Sequence, residues 1–557
     1  MWVCCNKSTC KCMVSKIVKY YIHRIMIRNL LGLLLLVLTL PSCNYFKSKK
    51  LMARDTTINH LTSFNSVFLD SVHVDSFLLK HPEFKAFTEQ FRDFYTHRNY
   101  EYAWFDSSGL AEQAHNFINL QSNYITDFAD SSIYNPVLEE LFQNLYSGNV
   151  RPAMGDPKVI QAELLLTGQF FRYAAKVYKG SDIDAAKLGW YIPRKKIDLT
   201  VLLDSTLKSQ LAEGEPLVPV NAQYQKLQDQ VAKYLVLEKQ FPKDKITPVK
   251  KSFKKGDTTY AITQIKKRLQ LLGDMPGSDT SQLFDTVLEN AAKLFQRRMG
   301  LTEDGVIGNK MITELNTPIS WRIRQLLVNM ERVRWMPAER GSRFILVNIP
   351  EYKLHVMDSG RQIMDMNVIV GTAANNTVIF SGNLKYVVFS PYWNVPSSIV
   401  RKEMLPAISR NRNYLSRNNM EITGYSGGLP EIRQKPGPTN ALGLVKFLFP
   451  NNFNIYLHDT PNRELFSSTT RSFSHGCIRI SEPKKMAEYL LRDDQSWNSE
   501  TIDSAMHLAK EKWVTLNKTV PVYVVYFTAW VDRNGLLNFR NDIYKHDTKM
   551  AEKLFTR

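Results

Sequence analysis

The chain has 557 residues, which at roughly 100 to 200 per domain predicts three or four domains and excludes a single small module. Composition is 44% apolar, 22% charged and 11% aromatic with 25 Gly and 24 Pro, enough to build true cores and incompatible with wholesale disorder, collagen or coiled coil. The net charge of +19 favours polyanionic surroundings, but does not choose among nucleic acid, anionic lipid and cell-wall polymer.

Lys7, Lys11, Lys16, Lys19, Arg24 and Arg28 precede the apolar run Leu30 to Leu40, with no acid before Cys43. The run is shorter than the ~20 residues of a membrane-spanning helix and reads as the core of a secretory signal. It ends in Leu40-Pro41-Ser42-Cys43, which resembles the lipobox of bacterial lipoproteins, Pro41 being unusual in it. The resemblance implies a signal over 1–43, lipidation of Cys43 and a polar tether over 44–59. An uncleaved anchor and plain secretion are the alternatives, and Met26 is a second possible start. Cys4, Cys5, Cys10 and Cys12 lie upstream of the cleavage point, so the mature chain would keep one thiol, Cys477, free in an oxidising compartment.

Helical spacing, as in Val231, Tyr234 and Leu235, predicts a helical scaffold domain over 60–245 without a chemical motif. Prolines and lysines between Pro242 and Lys255 suit a linker. Residues 256–316 predict three helices. Ile262, Ile265, Leu269 and Leu272 form one stripe ended by Gly273, and Asp285 N-caps a second helix with Val287, Ala291, Leu294 and Phe295 on one face. Phe295-Gln296, Gly300-Leu301, Asp304-Gly305, Gly308 and Leu315-Asn316 resemble the peptidoglycan-binding domain of cell-wall enzymes. After an amphipathic helix from Trp321 to Met336 the pattern turns to period two, with short β-branched and aromatic runs at Phe344 to Ile349, Leu354 to Val356, Val368 to Val370 and Tyr386 to Phe389. Further strands are predicted at Lys446 to Phe449, Asn454 to Leu457 and Val522 to Tyr526. Residues 342–530 are therefore read as a β-rich domain, interrupted by a lid over 395–432 and followed by a C-terminal extension over 531–557.

The chemistry concentrates in Tyr456-Leu457-His458 and, fifteen residues on, Ser474-His475-Gly476-Cys477-Ile478-Arg479. A cysteine nucleophile needs a base, because the thiolate attacks and a free thiol with pKa near 8.5 is little ionised at neutral pH. Extended chain spaces His475 about 6.5 Å from Cys477 along one face, whereas a strand-end His458 opposite the cysteine would sit about 5 Å away. His458 is the better base on that geometry. Gly476 permits close backbone approach, so N–H groups of Gly476 and Cys477 are expected to hold an oxyanion. These are the parts of an acyl-transfer site.

At these residues the sequence resembles the L,D-transpeptidase family, whose catalytic (YkuD-type) domain carries His, about 14 to 17 residues, then Ser/Thr-His-Gly-Cys, a hydrophobic residue and Asn or Arg. The order of domains, together with Tyr392-Trp393-Asn394, Gly437-Pro438, Leu442-Gly443 and Thr528-Ala529-Trp530, is similar to the large multidomain branch. The resemblance implies a multidomain α+β chain: helical scaffold, three-helix peptidoglycan-binding-like domain, and mainly β, sandwich-like catalytic domain with an inserted lid. It implies Cys477 as nucleophile and His458 as proton carrier, with Ser474, His475, Gly476 and Arg479 shaping the site.

Further implications are attack on the third stem-peptide residue, release of D-Ala, 3→3 cross-linking, no metal or cofactor, and a periplasm-facing, membrane-anchored lipoprotein of a bacterium with an outer membrane. Tyr392, Trp393 and Tyr456 are candidates for a stem-peptide groove, with core packing the competing reading. His355, His507 and the five histidines from His60 to His115 suit solvated or core positions. An L,D-carboxypeptidase with water as acceptor and a non-catalytic wall-tethering lipoprotein are the competing functions. Secretion argues against nucleic acid, and oligomeric state is open.

Overall fold

A computed structural model of the chain describes residues 68–555, apart from 107–108, 129, 148–154, 182, 194–196, 209–220, 249 and 338–340. The signal, the Cys43 lipidation site and the tether lie outside the described residues.

The scaffold is built from helices α1 (Ser71–Lys80), α2 (Thr88–His97), α3 (Glu112–Phe128), α4 (Pro136–Ser147), α5 (Pro157–Ala174) and α6 (Leu199–Lys208). Helix α5 runs through its middle, buried on every side over 162–171, and packs Leu164, Leu165, Phe170 and Phe171 against Phe84, Phe91, Phe94 and Trp104. One charged side chain in this core is Glu163. It accepts hydrogen bonds from the Ala103 N–H (2.7 Å), the Trp104 N–H (2.9 Å) and the Tyr95 hydroxyl (2.9 Å), stitching residues 103–104 to α5.

Two stretches of the expected scaffold domain pack outside its core. Helix α7 (Ala222–Gln240) does not join the scaffold core: Tyr224, Leu227, Val231 and Tyr234 pack with the next module. Its apolar stripe found a partner that helical periodicity alone does not identify. Residues 185–192, likewise assigned to the scaffold, bury Ala185, Trp190 and Ile192 in the core of the β domain, and the Tyr191 N–H donates to the Ile379 carbonyl.

The next module holds α8 (Tyr260–Leu271), α9 (Thr286–Met299), α10 (Asn309–Leu315) and the longer α11 (Ile319–Arg334). Gly273 adopts a positive φ just after α8, and Asp285 caps α9 by accepting from the Leu288 N–H. Leu288, rather than the expected Val287, faces the core with Ala291, Ala292 and Phe295, while Val287 is exposed. The stretch read as a linker is fastened down. Ile246 is buried with its N–H and carbonyl bonded to the Asn316 side chain, and Arg268 donates to the Asp244 carbonyl.

The β domain contains β1 (Arg343–Asn348), β2 (Lys353–Asp358), β3 (Arg361–Gly371), β4 (Phe380–Phe389), β5 (Trp393–Asn394), β6 (Met420–Ser426), β7 (Leu429–Gln434), β8 (Val445–Leu448), β9 (Leu457–His458), β10 (Ser472–Ser474), β11 (Ile478–Ile480) and β12 (Lys512–Val525). The sandwich-like body is one nine-stranded sheet in the order β10-β3-β11-β9-β8-β4-β12-β1-β2, and it closes because β2 also pairs with β3. Period-two alternation turns Ile345, Val347, Val445, Phe447, Leu457, Ile478 and Ile480 into the enclosed core. The intervening residues face outward, the face that carries the site.

Between β5 and β7 the chain leaves this sheet. Short helical turns over 397–417 and the hairpin β6–β7 enclose a small core of their own, Val395, Val400, Met404 and Ile432. The segment after 530 is no loose extension. The hairpin β13 (Ala529–Val531) and β14 (Leu537–Phe539) packs on α9 and α11, while Tyr544 enters the β-domain core. Among the described residues no helix is long and apolar enough to cross a membrane.

Burial pushes the Glu163 carboxyl up to about 7, against its three hydrogen-bond donors. A proton held more tightly in the folded state stabilises most below the usual carboxylate range, and that contribution is lost as pH rises through about 7. The melting temperature of the chain is expected to fall between pH 5 and pH 8, with Glu163→Gln removing part of that slope. Glu163→Ala, which strands three buried donors, is expected to cost roughly 3 kcal/mol. An unchanged pH slope in the Gln variant contradicts this.

Candidate active site

Strands β9 and β11 run parallel, with Leu457 beside Ile478 and His458 beside Arg479. Because Leu457, Ile478 and Ile480 point into the core, Tyr456, His458 and Arg479 alternate to the outer face. Cys477 precedes β11 by one residue and continues the Arg479 side of that alternation. The register corrects one expectation: His458 lies opposite Arg479, not opposite Cys477. Diagonal positions on paired strands put Cβ atoms about 7 Å apart, a gap that an imidazole and a thiol span together.

The residue beside the sulfur is Tyr456, whose N–H and hydroxyl both favour the thiolate, as does the Arg479 charge. Burial is the larger effect and pushes the Cys477 thiol above its ordinary pKa. The sulfur itself lies 3.6 Å from the Asn454 carbonyl, to which it donates. Cys477 is free and half-buried.

His458 is almost fully buried, and its Nδ1 lies 2.6 Å from the Asp459 carbonyl. A carbonyl oxygen can only accept, so Nδ1 carries the proton and Nε2 presents a lone pair. Burial, then the nearby Arg479 and Lys446 charges, hold this imidazole neutral down to about 3. Asp459 is held in turn: its carboxylate accepts from the Leu444 N–H (2.9 Å) and from Arg463 (2.8 Å).

The turn before Cys477 is tied from within. Gly476 has φ +117°, a region that glycine tolerates. The Ser474 hydroxyl accepts from the Gly476 N–H (3.1 Å) and donates to the Cys477 carbonyl (2.6 Å). This bond removes the Gly476 N–H from the expected oxyanion pair and leaves the Cys477 N–H as the candidate donor. Behind the turn, Thr377 donates to the Gly476 carbonyl (2.8 Å) and accepts from the Gly371 N–H (2.9 Å), while the Tyr544 hydroxyl donates to the Gly371 carbonyl (2.6 Å). Support thus comes from the segment read as an extension.

His475 does not share the Cys477 face, because the glycine conformation at 476 breaks strand alternation. It is half-exposed, and its Nε2 lies 3.0 Å from Glu403 of the inserted segment. Of the groove candidates only Tyr456 reaches the sulfur. Trp393 packs against the insert's own core, and Tyr392 lies beneath the Arg433 guanidinium, 4.3 Å from ring centre. Sequence reasoning missed Lys446, Asp459, Thr377 and Tyr544. Lys446 had a signal, a charge at the centre of the strand Val445-Lys446-Phe447-Leu448. Thr377 and Tyr544 act through tertiary contacts that no local pattern carries. Among the described residues no group of three or more His, Cys, Asp or Glu is arranged to hold a metal ion.

Comparison with known proteins places three family models along the chain: "Scaffold domain" over 89–231, "Putative peptidoglycan binding domain" over 258–315 and "L,D-transpeptidase catalytic domain" over 342–524. A protein of Haemophilus influenzae named "Putative L,D-transpeptidase" is 31% identical over 243 residues, covering 41% of this chain and 49% of that one. The match thus spans about half the length of that relative. Among solved structures, an L,D-transpeptidase from Xylanimonas cellulosilytica is similar at 14% identity over 50% of this chain and 100% of that chain, with a TM-score of 0.17. An L,D-transpeptidase from Stackebrandtia nassauensis is similar at 15% identity over 50% of this chain and 97% of that chain, with a TM-score of 0.20. By the three family models the chain carries an L,D-transpeptidase catalytic domain, preceded by a scaffold domain and a "Putative peptidoglycan binding domain".

Proposed function

We propose that the chain is a peptidoglycan L,D-transpeptidase working by cysteine acyl transfer, with Cys477 as nucleophile and His458 as the proton carrier. The observation that carries this reading is the His458 Nδ1–H bond to the Asp459 carbonyl, which leaves Nε2 as a base on the sheet face of the thiol.

Both groups rest neutral. The thiol is pushed up by burial and the imidazole is held neutral, so a preformed thiolate–imidazolium pair is disfavoured. The proton moves from Sγ to Nε2 as sulfur bonds the carbonyl carbon of the third stem residue. The Cys477 N–H stabilises the resulting oxyanion, and the Tyr456 N–H and hydroxyl stabilise charge on sulfur. Collapse breaks the peptide bond, and the imidazolium returns its proton to the departing D-Ala amine. An amine of a neighbouring stem then attacks the thioester, gives its proton to His458 and expels the thiolate, producing a 3→3 cross-link. With water as acceptor the same steps amount to carboxypeptidase activity.

The domain order supports a wall substrate. The lipid anchor at Cys43 and a periplasm-facing location complete the proposal, and Cys43→Ser is expected to release the protein from membranes or leave it unprocessed.

Incubation with a disaccharide-tetrapeptide is expected to give one acyl adduct, absent in Cys477→Ala, and dimers among the products. Trimmed tripeptides alone favour water as acceptor, and an adduct that persists in Cys477→Ala contradicts the assignment. His458→Ala is expected to lose about 10² to 10⁴-fold in acylation. Because the reactive imidazole is neutral at every pH above about 3, wild-type kcat/KM for acylation is expected to stay level from pH 5 to pH 8. Half-loss near pH 6.5 contradicts it. His475→Ala and Glu403→Gln break the same half-exposed side-chain contact, worth at most ~1 kcal/mol, and are expected to lower the rate equally, by no more than about five-fold.

A further inference from the structure

The outer face of the sheet carries a cross-strand row that the acyl-transfer chemistry does not exhaust. Trp513 lies beside Val388, Val388 beside Lys446, Lys446 beside His458, and His458 beside Arg479. The buried imidazole therefore has a cation on each side, and both charges are close enough to lower its basicity.

Neither cation sits in a close ion pair. Among the described residues Lys446 and Arg479 form no ion pair within 4 Å, unlike the buried Arg298, which is matched to Asp274, or Lys266, which is matched to Asp279. The Lys446 ammonium rests 5.6 Å from the centre of the Trp513 ring. Glu511 acts on its charge from beyond ion-pair distance and accepts from the Tyr392 N–H at 3.3 Å. The Arg479 Nε is buried without a hydrogen-bond partner. Burying a cation without a partner is costly, and such groups persist where an anion completes them.

We propose that Arg479 and Lys446 form a carboxylate subsite that receives the free C-terminal carboxylate of the donor stem peptide, the one borne by the departing D-residue. The proposal rests on the acyl-transfer reading and adds to it the feature of the donor that is recognised. Dimensions agree. Arg479 lies two residues along the strand from Cys477, about 6.6 Å. A scissile carbonyl carbon about 3 Å from sulfur places the carboxylate of the next residue a further ~4 Å away, since that is one residue of chain. The guanidinium fork suits a carboxylate in two-point contact, with the ammonium as a second point charge. A carboxylate there also offsets the positive charge beside His458, so that donor binding raises the basicity of the imidazole at the moment it must accept a proton. An internal peptide bond, or a stem already trimmed and carrying its carboxylate at the reacting residue, lacks this match.

The test compares single-turnover acylation of the full chain by a tetrapeptide donor ending in a free carboxylate with acylation by the same tetrapeptide as its C-terminal amide. The wild type is expected to prefer the acid at least ten-fold in kcat/KM. Arg479→Gln and Lys446→Gln are each expected to shrink that ratio toward one, with their melting temperatures recorded alongside. Equal use of acid and amide by the wild type overturns the subsite without touching the acyl-transfer reading, and needs no variant to fold. A preference that persists in both variants, folded as the wild type, assigns the carboxylate elsewhere. Acylation by neither donor overturns the donor reading itself, and the subsite with it.

Discussion

The chemistry of this domain turns on one hydrogen bond, from His458 Nδ1 to the carbonyl of the next residue, Asp459, at 2.6 Å. In the proposed mechanism it decides which nitrogen serves as the base. The bond is maintained because Asp459 is itself immobilised by the Leu444 N–H and Arg463, and because Gly443, at φ +62°, lets the Asp459 side chain lie against the backbone. A Cβ at 443 would stand 2.4 Å from Asp459 Cγ, so a larger residue there would displace the carboxylate and, through it, the carbonyl that orients the imidazole. Burial and two flanking cations then keep the ring neutral, which ties its tautomer and its charge to the same stretch of sheet.

A closed sheet suits this arrangement. Closure through β2 and β3 leaves few free edges, so the outer face is stiff enough to hold side chains in fixed register. The rest of the molecule is clamped to it through α11. Asn329 exchanges two hydrogen bonds with Thr528, Arg332 pairs with Asp547 of the C-terminal helix α12 (His546–Phe555), and Glu331 accepts from Ser181 of the scaffold and from the Trp335 indole. Arg334 reaches both the Val177 carbonyl and the Tyr224 hydroxyl. These are buried, satisfied polar contacts, which resist shearing between modules more than apolar packing of the same area would. The scaffold, the peptidoglycan-binding module and the catalytic sheet are thereby set in one arrangement, with the inserted segment touching the cysteine turn through Glu403 and His475.

Much of this was legible from residue order. The cap at Asp285, the stop at Gly273, the alternation that buries Val445 and Phe447, and the segregation of Cys477 as the thiol of the described chain all follow from local rules. What local rules cannot supply is register and partnership. An offset of two residues between β9 and β11 places Tyr456, rather than His458, beside the sulfur, because strand spacing gives a face and not a neighbour. The core that helix α7 packs on was not legible for the same reason, since an apolar stripe states that something covers it without stating what. His475 was placed on the cysteine face by an alternation that the positive φ of Gly476 interrupts. Lys446 was overlooked because its meaning depends on two strands that are distant in sequence.

The central claim, that His458 is a neutral base with its proton on Nδ1, is tested most directly by nitrogen-15 NMR of the histidine side chains, with His458 assigned by comparison with His458→Gln. The account predicts a single neutral Nδ1–H tautomer for His458 from pH 8 to pH 5, with no titration near the ordinary value of 6.5. An Nε2–H tautomer, or an imidazolium appearing between pH 7 and pH 6, would contradict it.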